Sequence, residues 1–214
     1  MGILAHYQGA FLRGIGLTLV LTAISFAMAL VLGSLLAVMR VSPVTPLRVA
    51  ASGYVGLMRS IPLLAFVVLF IFGLPKVGII FSITASLILV LGLYTAAFVC
   101  ETIRAGIRTI GRGQVEAARA LGLPFRQVIS SIVLPQALRT VIPPLGNLAI
   151  SQIKATAIAA AVGVQEITGV ATRANFETAR PIQVFGIAVV AYLVLALPSG
   201  WALNRLEKRM AELR

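Results

Sequence analysis

Glu116-Ala117-Ala118, then Gly122, then Ile132-Val133-Leu134-Pro135 break into an otherwise greasy chain at fixed intervals. Gln114 to Leu121 is rich in helix formers, and Gly122 falls where a helix C-terminus needs a residue tolerant of positive φ. Pro124 suits the first position of a second helix, so the segment reads as helix, tight turn, helix. In the second helix Phe125, Val128, Ile129, Ile132 and Val133 recur at i, i+3, i+4, i+7 and i+8, an apolar stripe facing the protein, while Arg126, Gln127 and Ser130 face outward. Pro135 is expected to stop this helix. A short rigid elbow of this kind can fill a groove on a partner and move as one unit. Periodicity alone fits equally an amphipathic surface hairpin between two membrane spans.

Composition places the rest of the chain in a bilayer. Of 214 residues, 59% are hydrophobic and only 11% charged, and the mean hydropathy is +1.03. A soluble globule of ordinary composition does not look like this. A span needs about 20 mostly apolar residues. Gly14 to Met39, Val77 to Cys100 and Pro181 to Asn204 are uncharged and long enough, Ser60 to Pro75 extends back past a snorkelling Arg59, and Thr140 to Gln165 carries only Lys154. The expectation is an all-α polytopic membrane bundle in one domain over 1–214, with five transmembrane helices at about 15–39, 56–74, 80–102, 141–164 and 183–205. The elbow then lies in a loop of about 104–139.

Orientation follows from the basic residues. Thirteen of the 18 lysines and arginines fall in the loop after the first span (Arg40, Arg48, Arg59), the long loop after the third (Arg104, Arg108, Arg112, Arg119, Arg126, Arg139) and the C-terminal tail (Arg205, Lys208, Arg209, Arg214). Only Arg13, Lys76, Arg173 and Arg180 fall on the other side. The asymmetry predicts an outside N-terminus, a cytoplasmic C-terminus and a cytoplasmic elbow.

Several function classes find no material. The net charge of +12 is spread over loop ends, without an aromatic-interleaved basic patch, so no nucleic acid is expected. The first apolar run exceeds a signal h-region and has no convincing cleavage site before Arg40, so the first helix is expected to stay. The single histidine, His6, cannot build a catalytic or metal constellation alone, and the one cysteine, Cys100, reads as a small buried hydrophobe. No G-x-x-x-x-G-K-[ST] is present, so the chain is not expected to be an enzyme or to bind ATP itself. Among the acidic residues Glu101, Glu116, Glu166, Glu177, Glu207 and Glu212, only Glu101 reads as near the membrane interior, which argues against a carboxylate proton relay. There is no internal repeat of the secondary-transporter kind.

Written as E-A-A-x₃-G-x₉-I-x-L-P, the opening segment matches the cytoplasmic loop by which ABC importer permeases dock on their ATPase, and the chain resembles the polar amino acid permeases of that family. Further phrases from about Gly16 to Glu207 are similar: Thr18-Leu19, Gly33 and Leu35-Leu36-Ala37; Arg59-Ser60-Ile61-Pro62-Leu63-Leu64; Phe72-Gly73-Leu74-Pro75; Glu101-Thr102-Ile103-Arg104-Ala105-Gly106-Ile107; and Gly113-Gln114. Met39-Arg40-Val41-Ser42-Pro43-Val44 and Pro144-Leu145-Gly146-Asn147 look most like glutamate-importing members. The resemblance implies a type I ABC importer permease fold in a bacterial cytoplasmic (inner) membrane. It also implies pairing with a second permease subunit, a cytoplasmic ATPase dimer that carries ATP and Mg, and an extracytoplasmic amino-acid-binding protein. ATPase docking is then carried by Glu116, Ala117, Ala118, Gly122, Ile132, Leu134 and Pro135.

Arg59, Pro62, Glu101, Asn147, Ser151 and Lys154 are the candidates for a substrate pathway. Asn147, Ser151 and Lys154 lie at i, i+4 and i+7 on one helix face, and a cation near mid-membrane costs about 2.5 to 3.5 kcal/mol unless it meets water or a partner. Lys154 either attracts a substrate carboxylate, or snorkels, or pairs with a helix-end carbonyl or with Glu101. Where the family commonly has Lys-Asp-Thr-Ser-Leu or Lys-Asn-Thr-Thr-Ile, this chain has Lys154-Ala155-Thr156-Ala157-Ile158. The missing polar residue makes a heterodimer at least as good an expectation as a homodimer. An ABC permease for another small solute remains open. A membrane anchor fits less well, because Pro143-Pro144, Asn147, Ser151 and Lys154 interrupt the fourth span.

Overall fold

The computed structural model describes residues 3–212, so Arg214 lies outside the described residues, as do the side chains of Arg112, Phe125 and Glu212. All regular structure among them is helical: α1 (Ile3–Val41), α2 (Thr45–Ser60), α3 (Leu63–Val68), α4 (Ile83–Arg108), α5 (Arg112–Ala120), α6 (Phe125–Val128), α7 (Leu134–Ala155), α8 (Ile167–Thr178) and α9 (Pro181–Glu212). Among the described residues four stretches are long and apolar enough to cross a membrane: Ala5–Val41, Ile83–Arg108, Arg126–Val162 and Pro181–Arg209. A further pair, Thr45–Ser60 and Leu63–Val77, reaches that length and apolarity only when taken together, and it is bent by 104° at the break.

That break corrects the continuous second span expected over 56–74. Pro62 has no N–H to donate and forces the residue before it out of the helical region. Ile61 is accordingly extended at φ −94°, ψ 141° and Pro62 at φ −66°, ψ 130°. Beyond it, α3 loosens into a π turn over Leu69–Gly73 and a 3₁₀ turn over Leu74–Val77.

Pro135 also behaves differently from expectation: it stops nothing. A π turn over Ile129–Val133 joins α6 to α7, and Pro135 sits in the first turn of α7, where a missing N–H is tolerated. The second limb of the elbow is therefore continuous with the fourth span, and the assigned loop of 104–139 is helical at both ends. α7 also runs through Pro143 and Pro144 as helix. Ile167–Thr178 adds a helix that the spans did not anticipate.

α1 and α4 form the spine. Small side chains, Ala29 and Ala37 on α1 against Ala96 and Ala97 on α4, are all at most 1% exposed and let the two helices approach closely. Cys100 is buried in the same seam, as its reading as a small hydrophobe expected. α8 and α9 pack on the first turns of α1 through Phe11, Ile167, Val170, Ala171, Ala174, Val184 and Ala188. A polar clasp ties the spine to α7: Gln152 donates to Ser25 Oγ at 2.8 Å and accepts from the Thr95 hydroxyl at 2.6 Å. Ser25 donates onward to the Leu21 carbonyl at 2.6 Å, so each group is satisfied where water is absent. The outer surface is apolar, with Val31, Val38, Leu69, Ile182, Val194 and Trp201 exposed, as suits a lipid-facing bundle.

Candidate functional site

The elbow is built by its turn. Gly122 has φ +79° and donates its N–H to the Arg119 carbonyl at 3.0 Å, while Leu123 donates to the Ala118 carbonyl at 3.2 Å. This pair of bonds closes α5 with a left-handed residue, a conformation costing a side-chain-bearing residue about 1 kcal/mol or more. Gln127 and Val128 then donate to the Pro124 carbonyl at 2.9 and 3.1 Å and begin α6. Ala118 and Val128 are buried and hold the hairpin from inside. Glu116, Ala117, Gly122, Leu134 and Pro135 are exposed and Ile132 is half-buried. Among the described residues no atom of another segment lies within 4 Å of where a Gly122 Cβ would project. Leu121, at 81% exposure, crowns the elbow; it falls among the unspecified positions of the spacing, so the motif gave no sign of it.

On α7, Asn147, Ser151 and Lys154 are exposed along one face, whereas Gln152 and Ile153 point into the bundle. Lys154 forms no salt bridge among the described residues. Just past Lys154 the helix tightens to 3₁₀ over Thr156–Val162 and ends at Gly163 with φ +82°.

Glu101 is not the partner of Lys154. Its carboxylate meets three guanidiniums: Arg40 from α1 in a short contact, Arg104 one turn along α4 at 2.6 Å, and Arg59 from the end of α2 at 3.4 Å. The six residues assigned to a pathway thus separate into two groups: Arg59 and Glu101, with Pro62 beside them at the break, and Asn147, Ser151 and Lys154 on the far face of α7. Arg40 and Arg104 join the first group, and no local pattern in the sequence connects Arg40 to a residue 61 positions away.

A second carboxylate is shielded within the protein, outside the candidate spans. Glu166 is fully buried. It caps α8, accepting from the Gly169 N–H at 2.9 Å, and takes the Tyr192 hydroxyl of α9 at 2.7 Å. Burial pushes its carboxyl above the usual range, against the pull of these donors. Glutamate is not one of the residues that ordinarily cap helices, so the sequence carried no cap signal here. Alongside, a cavity of about 440 Å³ between α1 and α8 is lined by Tyr7, Arg13, Arg173 and Glu177 among others. There Tyr7 donates to Glu177 at 2.5 Å and Arg173 pairs with it at 3.0 Å. Among the described residues no His, Cys, Asp or Glu group of metal-binding size exists.

Comparison with known proteins agrees with this geometry. The probable glutamine ABC transporter permease protein GlnM of Bacillus subtilis is 37% identical over 210 residues, covering 98% of this chain and 97% of its own. The glutamate transport system permease protein GluC of Corynebacterium glutamicum is 39% identical over 208 residues, 91% of each chain. Among solved structures, an amino acid ABC transporter crystallised with histidines superposes with a TM-score of 0.92 at 30% identity over 96% of both chains. An inward-facing MetNI methionine transporter, at 23% identity and a TM-score of 0.77, shares the fold. The model of the binding-protein-dependent transport system inner membrane component matches residues 29–212, and with full-length relatives in agreement, the chain belongs to that family of multi-pass ABC permease subunits.

Proposed function

We propose that this chain is the translocating subunit of an ATP-driven importer of a polar amino acid, glutamine or glutamate. The observation that carries it is the face of α7. Asn147, Ser151 and Lys154 stand exposed on a helix that crosses the membrane, and lipid is a poor solvent for them. A water-lined pathway shared with a second permease subunit accommodates this face; a simple membrane anchor has no use for it. The relatives named for glutamine and glutamate supply the substrate class, and a lysine with no ion pair among the described residues suits a ligand carboxylate. The basic-rich ends lie in the cytoplasm, where the elbow, with Glu116, Ala117, Ala118, Gly122, Ile132, Leu134 and Pro135, docks on an ATPase that carries ATP and Mg. An extracytoplasmic binding protein delivers the amino acid on the opposite face.

The test is uptake in proteoliposomes containing this chain, its ATPase and, where needed, a second permease, with binding protein outside. Labelled glutamine or glutamate should accumulate only with ATP inside. Accumulation of neither, with another small solute entering instead, would overturn the substrate assignment. Cysteines placed in the 165–181 segment should react with impermeant thiol reagents from outside and those near Gly113 should not; the reverse labelling would overturn the orientation.

A further inference from the structure

We propose that Glu101 is a positioning residue that carries movement of the docking elbow to the break between α2 and α3, with Arg40 and Arg59 as its two arms to other helices. The inference rests on the reading of α5 and α6 as the ATPase dock.

The geometry forms a continuous chain. α4 ends at Arg108, four residues before α5, so the first limb of the elbow hangs directly from it. One turn beyond Glu101, Gly106 meets α7: a Cβ there would collide with the Val141 side chain, so the absence of a side chain is what lets the two helices touch. Val141 and Ala137 are themselves buried in this contact zone. α7 is the continuation of the elbow's second limb. Both limbs therefore leave from a pair of helices packed in direct contact, and whatever turns the elbow turns the end of α4.

Glu101 links that end to the other helices. Arg40 lies in the last turn of α1, and its side chain is 16% exposed, a nearly buried and firm tie. Arg104 shares Glu101's own helix and neutralises the same carboxylate without linking anything new. Arg59 differs from both. Its side chain is 50% exposed, its contact is the longest of the three at 3.4 Å, and it sits two residues before Ile61, where the chain breaks by 104°. Three guanidiniums around one carboxylate leave surplus positive charge, so a small rotation of α4 that carries Glu101 away from Arg59 also removes what holds Arg59 toward that cluster. Arg59 is thus the arm that can be made and broken, and α3 with Pro62 is what it steers. This arrangement transmits a push as a discrete choice between two ion-pair states, which packed helices do more readily than they deform continuously.

The test uses the whole transporter in proteoliposomes, measuring ATP hydrolysis and amino acid uptake together. Glu101→Gln and Arg59→Gln should each keep the ATPase bound and hydrolysing while uptake falls about tenfold for the first and several-fold for the second, so that ATP consumed per amino acid rises in proportion. Arg59→Lys should recover most of the lost coupling. If Glu101→Gln fails to assemble, Arg59→Gln decides alone, because its side chain is half in solvent and outside the core. Unchanged ATP consumed per amino acid, or parallel loss of hydrolysis and uptake, would overturn the proposal. Failure of the docking reading is seen separately, as normal ATPase binding by Gly122→Trp.

Discussion

The Thr95 hydroxyl donates to Gln152 Oε1 at 2.6 Å, a bond between α4 and α7 in which both residues are buried. Because the same Gln152 amide reaches Ser25 on α1, one side chain fixes the rotation of α7 against two neighbours. That rotation is what leaves Asn147, Ser151 and Lys154 on the outward face. Gln152→Leu fills much of the space but leaves Ser25 and Thr95 with altered partners, and hydrogen bonds inside membranes are worth about 0.6 to 1.7 kcal/mol each. The purified complex should melt several degrees lower and lose uptake more than its stability loss accounts for. Equal melting temperatures would show that apolar packing alone sets the helix rotation.

Gly122 gives a two-part expectation. Gly122→Ala places a Cβ at φ +79° in open space, so its cost is backbone strain of about 1 kcal/mol and coupling should weaken modestly. Gly122→Trp meets no described atom of another segment near its Cβ but should block the ATPase groove, abolishing both copurification and transport with the subunit still in the membrane. Full uptake by the tryptophan variant would sink the docking assignment.

How much of this was legible in the chain depends on the range of the interactions. Gly122, Pro124 and the Val128 stripe act within one turn, so local spacing was enough to place the elbow. Pro62 and Pro135 were harder, since both lack an N–H and only context separates a break from a first turn. Pro62 forces Ile61 extended and bends the chain by 104°, whereas a π turn ahead of Pro135 absorbs it. The Glu101 cluster and the Gln152 clasp join residues as much as 61 and 127 positions apart, and no periodicity encodes such partners. Glu166 lies outside the apolar runs and is not a residue type that ordinarily caps helices, so nothing in its neighbourhood marked it as buried.

Glu166 sets a pH dependence with a definite sign. Its folded carboxyl titrates above the ordinary value because it is buried, so the stability linked to it is fully present below the unfolded value and is lost as pH rises through the folded one. Glu166→Gln keeps the shape and a cap acceptor for Gly169 but cannot ionise. Thermal melts from pH 5 to 8 should therefore show the wild type losing stability relative to the variant as pH rises. A constant gap would mean that Tyr192, Gly169 and the other donors already offset the charge.

Lys154 tests the pathway itself. It stands exposed beside Ser151, without an ion pair among the described residues, immediately before the switch to 3₁₀ geometry. If it receives a substrate carboxylate, Lys154→Met should raise the KM for glutamate about tenfold or more, since a charge-assisted hydrogen bond contributes about 1.5 to 3 kcal/mol. Glutamine, with one carboxylate fewer, should suffer less. If instead the lysine only snorkels toward headgroups, methionine replaces its stem well and both substrates keep their affinity and rate. The measurement is uptake of both labelled amino acids by an assembled complex, and a variant indistinguishable from wild type with either would remove Lys154 from the pathway.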